Sequence, residues 1–174
     1  PGFLALQRAG LELVDSSPAT QEAREVKTPQ EIALFRLNGP IVVEALGEFE
    51  SALRPSVTER ELFAVLASGM LKRGAEYLAT NTVCSGPNTN PWRAEATDRA
   101  IEAGDLVYLD TDTVGVGGCF FCVSRTFVCG DVAPTPAQRA TYETALGWVT
   151  EMTASIVPGV TCAELAAGAP IVPE

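Results

Sequence analysis

The stretch Leu109-Asp110-Thr111-Asp112-Thr113-Val114-Gly115, followed by Val116-Gly117-Gly118-Cys119 and then Cys122-Val123-Ser124-Arg125-Thr126-Phe127, decides how this chain reads. Strand side chains alternate, so Val107, Leu109, Thr111 and Thr113 share one face while Tyr108, Asp110, Asp112 and Val114 share the other. Two carboxylates therefore point the same way from an apolar strand. That arrangement is costly unless a cation or a substrate sits against it. Gly115, Gly117 and Gly118 permit the positive φ angles of a tight reversal, which predicts an antiparallel return strand over about Cys119 to Cys129. With the turn centred near Val116, Cys122 faces Asp110 across the hairpin, and a slip of one residue would send it to the other face. The competing reading is a solvent-facing polar edge whose acids serve solubility.

A chain of 174 residues, 47% of them apolar, suits one globular domain with a sizeable core. The net charge of −10, without any cluster of Lys and Arg, argues against a nucleic-acid partner. No apolar run reaches the length of a bilayer span, and the N-terminal stretch lacks the basic and apolar regions of a signal peptide, so a cytoplasmic location without a membrane partner is expected. The five cysteines are an odd number in a chain too long for a small disulfide scaffold, which predicts free thiols. Cys119, Cys122 and Cys129 suggest a metal cluster, but an offset of three puts Cys119 and Cys122 on opposite strand faces. There is also no second C-x-x-C and no His to complete a tetrahedral zinc site. The chain has no histidine at all, which removes Ser-His-Asp and Cys-His nucleophiles and H-E-x-x-H zinc proteases together. Asp, Glu, Tyr, Lys and Cys are the remaining candidates for proton transfer.

Four helix starts carry a capping box: Thr28 with Glu31, Thr58 with Glu61, Thr135 with Gln138, and Thr161 with Glu164. Pro29 and Pro136 take the first helical position, where a missing N–H costs nothing. The expected helices run over about 29–53, 58–73, 136–156 and from 161 onward, with Pro40 kinking or splitting the first near Gly39. Strands are expected near 76–85 and at the Asp110 hairpin. The segment from Leu53 to Leu62 matches that from Ile156 to Leu165 at Pro, Val, Thr, Glu and Leu, an internal repeat offset by about a hundred residues. A chance match of common cap residues is the alternative. The pattern reads as one complete helix-helix-sheet repeat plus the opening of another. On this reading residues 1–18 are the remnant of a preceding segment and a linker, and residues 19–174 form a partial domain, truncated at its C-terminus.

Several ordered motifs then carry a family resemblance: Lys27-Thr28-Pro29-Gln30-Glu31-Ile32, Pro55 to Leu62, Gly86-Pro87-Asn88-Thr89-Asn90-Pro91, Gly104-Asp105-Leu106-Val107 and Arg125-Thr126-Phe127. From about residue 26 to 174 the chain resembles the pita-bread superfamily of creatinase, aminopeptidase P and proline dipeptidase. The resemblance implies an α+β fold in which a curved antiparallel sheet is covered by helices, here the first repeat and the start of the second. It also implies a divalent transition metal site and a homodimer for the full-length protein. Asp110 would be the first metal ligand, and Cys122 stands where a second ligand Asp belongs. The remaining His and two Glu ligands of the family would lie beyond Glu174. A thiolate is softer than a carboxylate and removes a bridging oxygen pair, which weakens the case for a dinuclear centre.

Pro91-Trp92 replaces the Pro-His pair usual in the proline peptidases, and Asp110-Thr111-Asp112-Thr113 replaces their D-x-G-type strand. With Asn88-Thr89-Asn90-Pro91-Trp92, these features look most like the DddP-type dimethylsulfoniopropionate lyases, which generally use iron; zinc or manganese are the alternatives. The chemistry is compatible on its own terms. Releasing a neutral thioether from a β-sulfonio acid needs a base at the carbon beside the carboxylate, a cation to hold that carboxylate, and a surface that favours S⁺. Asp110 and Asp112 can hold the metal, with one of them acting as base, and Trp92 offers a cation-π face to a small zwitterionic substrate. A core or dimer aromatic is the alternative role for Trp92, Tyr77 and Tyr108 read as packing residues, and Arg125 as a partner for a carboxylate that orders the hairpin. The rival functions are an Xaa-Pro dipeptidase or aminopeptidase, which Trp92 disfavours, and a metal-free binding module, which Cys122 favours.

Overall fold

Each of the four long-range helix starts is built by a Thr hydroxyl and a Glu or Gln side chain exchanging hydrogen bonds with the backbone, and all four boxes close: Thr28 with Glu31, Thr58 with Glu61, Thr135 with Gln138, Thr161 with Glu164. The computed structural model describes residues 2–91, 93 and 95–171. Its helices are α1 (Gly2–Arg8), α2 (Ser17–Glu25), α3 (Pro29–Ala52), α4 (Glu59–Leu71), α5 (Pro136–Ser155) and α6 (Cys162–Gly168). Its strands are β1 (Tyr77–Leu78), β2 (Val83–Ser85), β3 (Leu106–Asp110), β4 (Thr113–Val114), β5 (Phe120–Phe121) and β6 (Ser124–Val128). They form two antiparallel sheets ordered β1-β4-β5 and β2-β3-β6. This is the expected α+β arrangement of helices on antiparallel sheet.

The core lies between the α3–α4 pair and one face of the sheet. Ile41, Val42, Ala45, Leu46 and Phe49 of α3 meet Leu62, Leu66 and Met70 of α4. Val83, Val107 and Leu109 close the core from below, and the Phe49 and Phe127 rings pack with centroids 5.6 Å apart. Gly69 allows the helices to approach, since a Cβ there would lie 3.1 Å from the Ala45 Cβ. Arg73, just past α4, ties the pair at its edge by reaching Glu44 at 2.7 Å and Glu48 at 2.6 Å.

Two expectations are corrected. Helix α3 runs unbroken through Pro40, so of the kink or split expected near Gly39 the split does not occur. Pro40 and Arg36 are exposed, so the carbonyl that the missing N–H abandons can be hydrated, while both halves of the helix are anchored by packing. Neither α1 nor α2 buries a residue, and the core begins in α3. The hairpin register also differs. Asp110 pairs with Ser124 and Thr113 with Phe121, which centres the turn on Gly117 rather than Val116. Cys122 therefore sits diagonally from Asp110 on the shared face, not directly opposite.

That register is held from α3. Asn38, 1% exposed in mid-helix, accepts a hydrogen bond from the Val116 N–H at 2.8 Å, donates to the Val116 carbonyl at 3.1 Å and donates to the Leu34 carbonyl at 2.8 Å. Gly117 and Gly118 take the positive φ angles of the turn, at 77° and 71°. Gly115 does not: its φ is −90°, and it is glycine because a Cβ would fall 2.1 Å from the Asn38 Oδ1. Asn38→Ala is expected to destabilise the fold by about 2–3 kcal/mol in urea denaturation, by stranding both polar groups of Val116. Gly115→Ala is expected to destabilise it too, and to cost less in the Asn38→Ala background, where the clash is gone. Strict additivity of the two would contradict this account of Gly115.

Candidate metal site on the interrupted hairpin

The site forms where the hairpin ladder stops. β3 ends at Asp110 and β4 begins at Thr113, while β5 ends at Phe121 and β6 begins at Ser124, so Thr111-Asp112 and Cys122-Val123 make the gap between the sheets. The two flanks keep one register across it. Thr111 bridges the gap with its buried side chain, whose Oγ1 accepts the Val123 N–H at 3.0 Å in place of a backbone carbonyl. With the apolar alternation intact, Val107, Leu109, Thr111 and Thr113 turn into the core. The acids and Cys122 face away from it.

Asp110, Asp112 and Cys122 each offer one ligand atom, and these atoms lie within 4.8 Å of one another. The Cys122 thiol donates to the Asp110 Oδ1 at 3.1 Å, and the same oxygen accepts the Thr111 N–H at 2.9 Å. Asp112 accepts from the Thr80 hydroxyl at 3.2 Å. The carboxylates are half-buried and Cys122 is exposed, which leaves the cluster open on the solvent side. Hydrogen bonding to Asp110, then burial, then the charge of Asp110, with smaller contributions from hydrogen bonding to Asp112 and from its charge, push the Cys122 thiol up to about 12. Two carboxylates and a thiol with an open side match the donor chemistry of a divalent transition ion, which commonly takes three protein ligands and one exchangeable position. No other group of His, Cys, Asp and Glu among the described residues could hold a metal.

The other expected residues divide. Trp92 falls outside the described residues. Tyr108 is not simply packed: with Leu106, Thr126, Tyr142 and Leu146 it lines an apolar cavity of about 800 Å³ between the β3–β6 face and α5. Its hydroxyl lies 3.1 Å from the Ser124 Oγ, beside the acids on the same face. Tyr77 is half exposed. Arg125 donates to the Ser124 carbonyl at 2.8 Å rather than to a carboxylate. All five cysteines are free.

Sequence reasoning missed Glu59, a fully buried carboxylate at the start of α4. Its Oε1 accepts from the Ser85 N–H at 2.7 Å, the Ser85 hydroxyl at 2.8 Å and the Asn88 amide at 2.9 Å. Its Oε2 accepts from the Thr97 N–H at 3.0 Å and the Thr97 hydroxyl at 2.5 Å. Arg99 adds a bond to the Ser85 hydroxyl at 2.7 Å and an ion pair to Asp105 at 2.6 Å. Both ends of the loop that carries Asn88 to Pro91 are thus pinned to one anion. The signal was the second acid of Thr58-Glu59-Arg60-Glu61, left over once Glu61 had closed the capping box.

Residues 33–172 match the metallopeptidase family M24. This chain belongs to that family. It is 31% identical over 171 residues to the dimethylsulfoniopropionate lyase DddP of Roseobacter denitrificans, covering 95% of this chain and 38% of the lyase. It is 30% identical over 156 residues to the Xaa-Pro aminopeptidase of Haemophilus influenzae, covering 85% of this chain and 34% of the peptidase. Among solved structures it is similar to the prolidase from Pyrococcus furiosus, with a TM-score of 0.78 and 29% identity over 85% of this chain and 43% of the prolidase. The chain therefore spans well under half the length of these relatives. The fold is that of the pita-bread enzymes, a family that uses divalent metal. Among the described residues no helix is long and apolar enough to cross a membrane.

Two measurements test the electrostatics. Burial alone would raise the Glu59 pKa, but hydrogen bonds from Thr97, Asn88 and Ser85 outweigh it and hold the group below the usual carboxylate range. A depressed folded pKa means that the ionised form stabilises the fold above the unfolded value near about 4.3, and that this contribution is lost as pH falls through the folded value. Glu59→Gln is expected to lower the urea midpoint at pH 7 and to flatten its decline in acid; an unchanged acid limb would contradict the assignment. For Cys122 the raised pKa predicts alkylation by iodoacetamide at pH 8 at least about a hundredfold slower than a free thiol near pKa 8.5. Asp110→Asn is expected to accelerate it, as read by peptide mass mapping. Equal rates in the two proteins would contradict the 3.1 Å thiol–carboxylate contact.

Proposed function

We propose that this protein is a metal-dependent carbon–sulfur lyase that cleaves dimethylsulfoniopropionate to dimethyl sulfide and acrylate. The observation that carries the reading is the pair of strand acids, Asp110 and Asp112, with Cys122 on an open face of an M24 domain. Relatedness gives it further support: the lyase matches extend over 94–95% of the chain, the Xaa-Pro peptidase and aminopeptidase matches over 77–86%. Pro91-Trp92 in place of a Pro-His pair points the same way.

The residues divide the work by their contacts. Asp110, Asp112 and Cys122 would hold the ion, for which iron is the leading candidate. Bound there, it would supply Lewis-acid attraction for the substrate carboxylate and acidify the adjacent carbon. The Asp110 Oδ1 accepts at 2.9 Å and 3.1 Å, whereas Asp112 accepts from Thr80 at a longer 3.2 Å, so Asp112 is proposed as the base. Removal of the proton beside the carboxylate forms the C=C bond as the C–S bond breaks; the electron pair leaves on sulfur, giving neutral sulfide and acrylate. Trp92 is proposed to face the sulfonium, whose positive charge an aromatic ring attracts.

Headspace chromatography of a full-length version of the protein with ferrous iron and dimethylsulfoniopropionate is expected to detect dimethyl sulfide, and the isolated chain of 174 residues is expected to be inactive. Asp110→Asn should lower the rate at least about a hundredfold, because several kcal/mol of charge stabilisation go with the ion. Cys122→Asp should raise it, since a carboxylate offers iron a harder and potentially bridging ligand. Cleavage of Xaa-Pro dipeptides without sulfide release would assign the protein to the peptidases instead.

A further inference from the structure

We propose that the cavity beside Tyr108 receives one apolar arm of the substrate, so that the protein accepts sulfoniopropionates whose S-alkyl group is longer than methyl. The proposal rests on the lyase reading above and names the substrate class that the same site takes.

The face of β3 and β6 that looks away from the core changes polarity along its length. Its cross-strand pairs are Asp110 with Ser124, then Tyr108 with Thr126, then Leu106 with Val128. Carboxylate gives way to hydroxyls, and hydroxyls to hydrocarbon, over a strand length of about 13 Å. Tyr108 stands at the step: its hydroxyl lies 3.1 Å from the Ser124 Oγ, beside the acids, while its side chain also lines the cavity. An amphiphilic ligand laid along this floor has one direction. The lyase reading holds its carboxylate at the Asp110 end, which turns its apolar arm toward Leu106 and Val128.

Length agrees with that direction. In a sulfoniopropionate the sulfur is three bonds from the carboxylate carbon, and the strand step from Asp110 to Tyr108 is about 6.8 Å. A carboxylate held at the acids therefore brings the sulfur to Tyr108, where the groups on sulfur meet the cavity.

The cavity is larger than two methyl groups need. It holds about 800 Å³, within the range of pockets that enclose a whole small-molecule ligand, between Leu106, Phe127 and Val128 of the sheet and Tyr142 and Leu146 of α5. The charged side chains on its lining, Arg139 and Glu143, pair with each other at 3.9 Å, so neither calls for a counter-charge on the ligand. An uncharged hydrocarbon arm is the group that these walls fit. Thr89 lines the same cavity, so the loop that leads to Pro91 borders it.

The longer arm leaves the reaction as it is. The same proton leaves the carbon beside the carboxylate, the same C–S bond breaks and acrylate forms; the extra carbons depart on the neutral thioether. Contacts to that arm are made alike before and during bond breaking, so they act on KM and not on kcat.

The test is steady-state kinetics of a full-length version of the protein with ferrous iron on dimethyl-, methylpropyl- and methylpentyl-sulfoniopropionate, read as acrylate by liquid chromatography. Leu146→Trp and Thr126→Trp, both at exposed positions, fill the cavity from the α5 side and the sheet side, and circular dichroism checks each fold. Expected is a KM that falls about two- to fourfold per added methylene with kcat unchanged. The methylpentyl-to-dimethyl ratio of kcat/KM should drop at least about tenfold in either folded tryptophan variant. Acrylate from the dimethyl substrate with a KM that stays level or rises along the series would overturn the proposal and leave the lyase reading intact. A gain that survives in a folded tryptophan variant would do the same. No acrylate from any of the three substrates would overturn both.

Discussion

The fold depends on one buried amide. Asn38 is a poor residue for mid-helix on propensity alone, yet its side chain hydrogen-bonds both polar groups of Val116 and so fixes where the β3-to-β6 hairpin reverses. Everything functional follows from that position. A register slip of one residue would rotate the return strand by one face, sending Cys122 toward the core and Val123 toward the acids. Gly115 exists to let the amide in, and Gly117 and Gly118 complete the turn beneath it. A long-range contact from helix to turn thus specifies a register that strand pairing across an interrupted ladder could leave ambiguous.

A second buried polar group orders the loop that follows β2. Glu59 sits at the start of α4, where the helix dipole favours an anion, and it gathers donors from β2, from the following loop and from the segment before β3. Taking a carboxylate out of water is unfavourable unless its lone pairs are filled. Here five short contacts fill them, and the result is a rigid hub rather than a soft loop. The hub holds Ser85, Asn88 and Thr97, and the neighbouring Thr89 lines the cavity beneath α5. Helices α3 and α4 therefore do more than cover the sheet: each sends one polar side chain inward, Asn38 to the hairpin turn and Glu59 to the loop after β2.

Local signals in the sequence made much of this legible, and long-range polar contacts made the rest invisible. The four Thr capping boxes, the buried alternation Val107, Leu109, Thr111, Thr113 and the common face of Asp110 and Asp112 depend on neighbours a few residues apart, which a sequence displays directly, whereas the face of Cys122 depends on the hairpin register. The hairpin centre was displaced because glycine was read only as conformational freedom. At Gly115 the requirement is space for a side chain 77 positions earlier in the chain. Pro40 was read as a helix breaker because local rules cannot register the tertiary anchors on either side of it. Glu59 was overlooked because a first-turn acid already has an adequate local explanation, and its five donors come from three separated segments.

The site that results is a partial shell on a rigid frame: two carboxylates fixed by backbone register and one thiol held between them, open to solvent on one side. In the M24 setting this arrangement points to a bound ion, and the departure from all-oxygen donors gives the chain its individual chemistry. The most direct test is anomalous diffraction from crystals of the chain grown with a cobalt or zinc salt. The account predicts an ion at about 2.0–2.3 Å from the Asp110 and Asp112 oxygens and the Cys122 sulfur, with Ser124 still opposite Asp110. An ion bound elsewhere with this hairpin empty, or a hairpin register that turns Cys122 into the core, would contradict it.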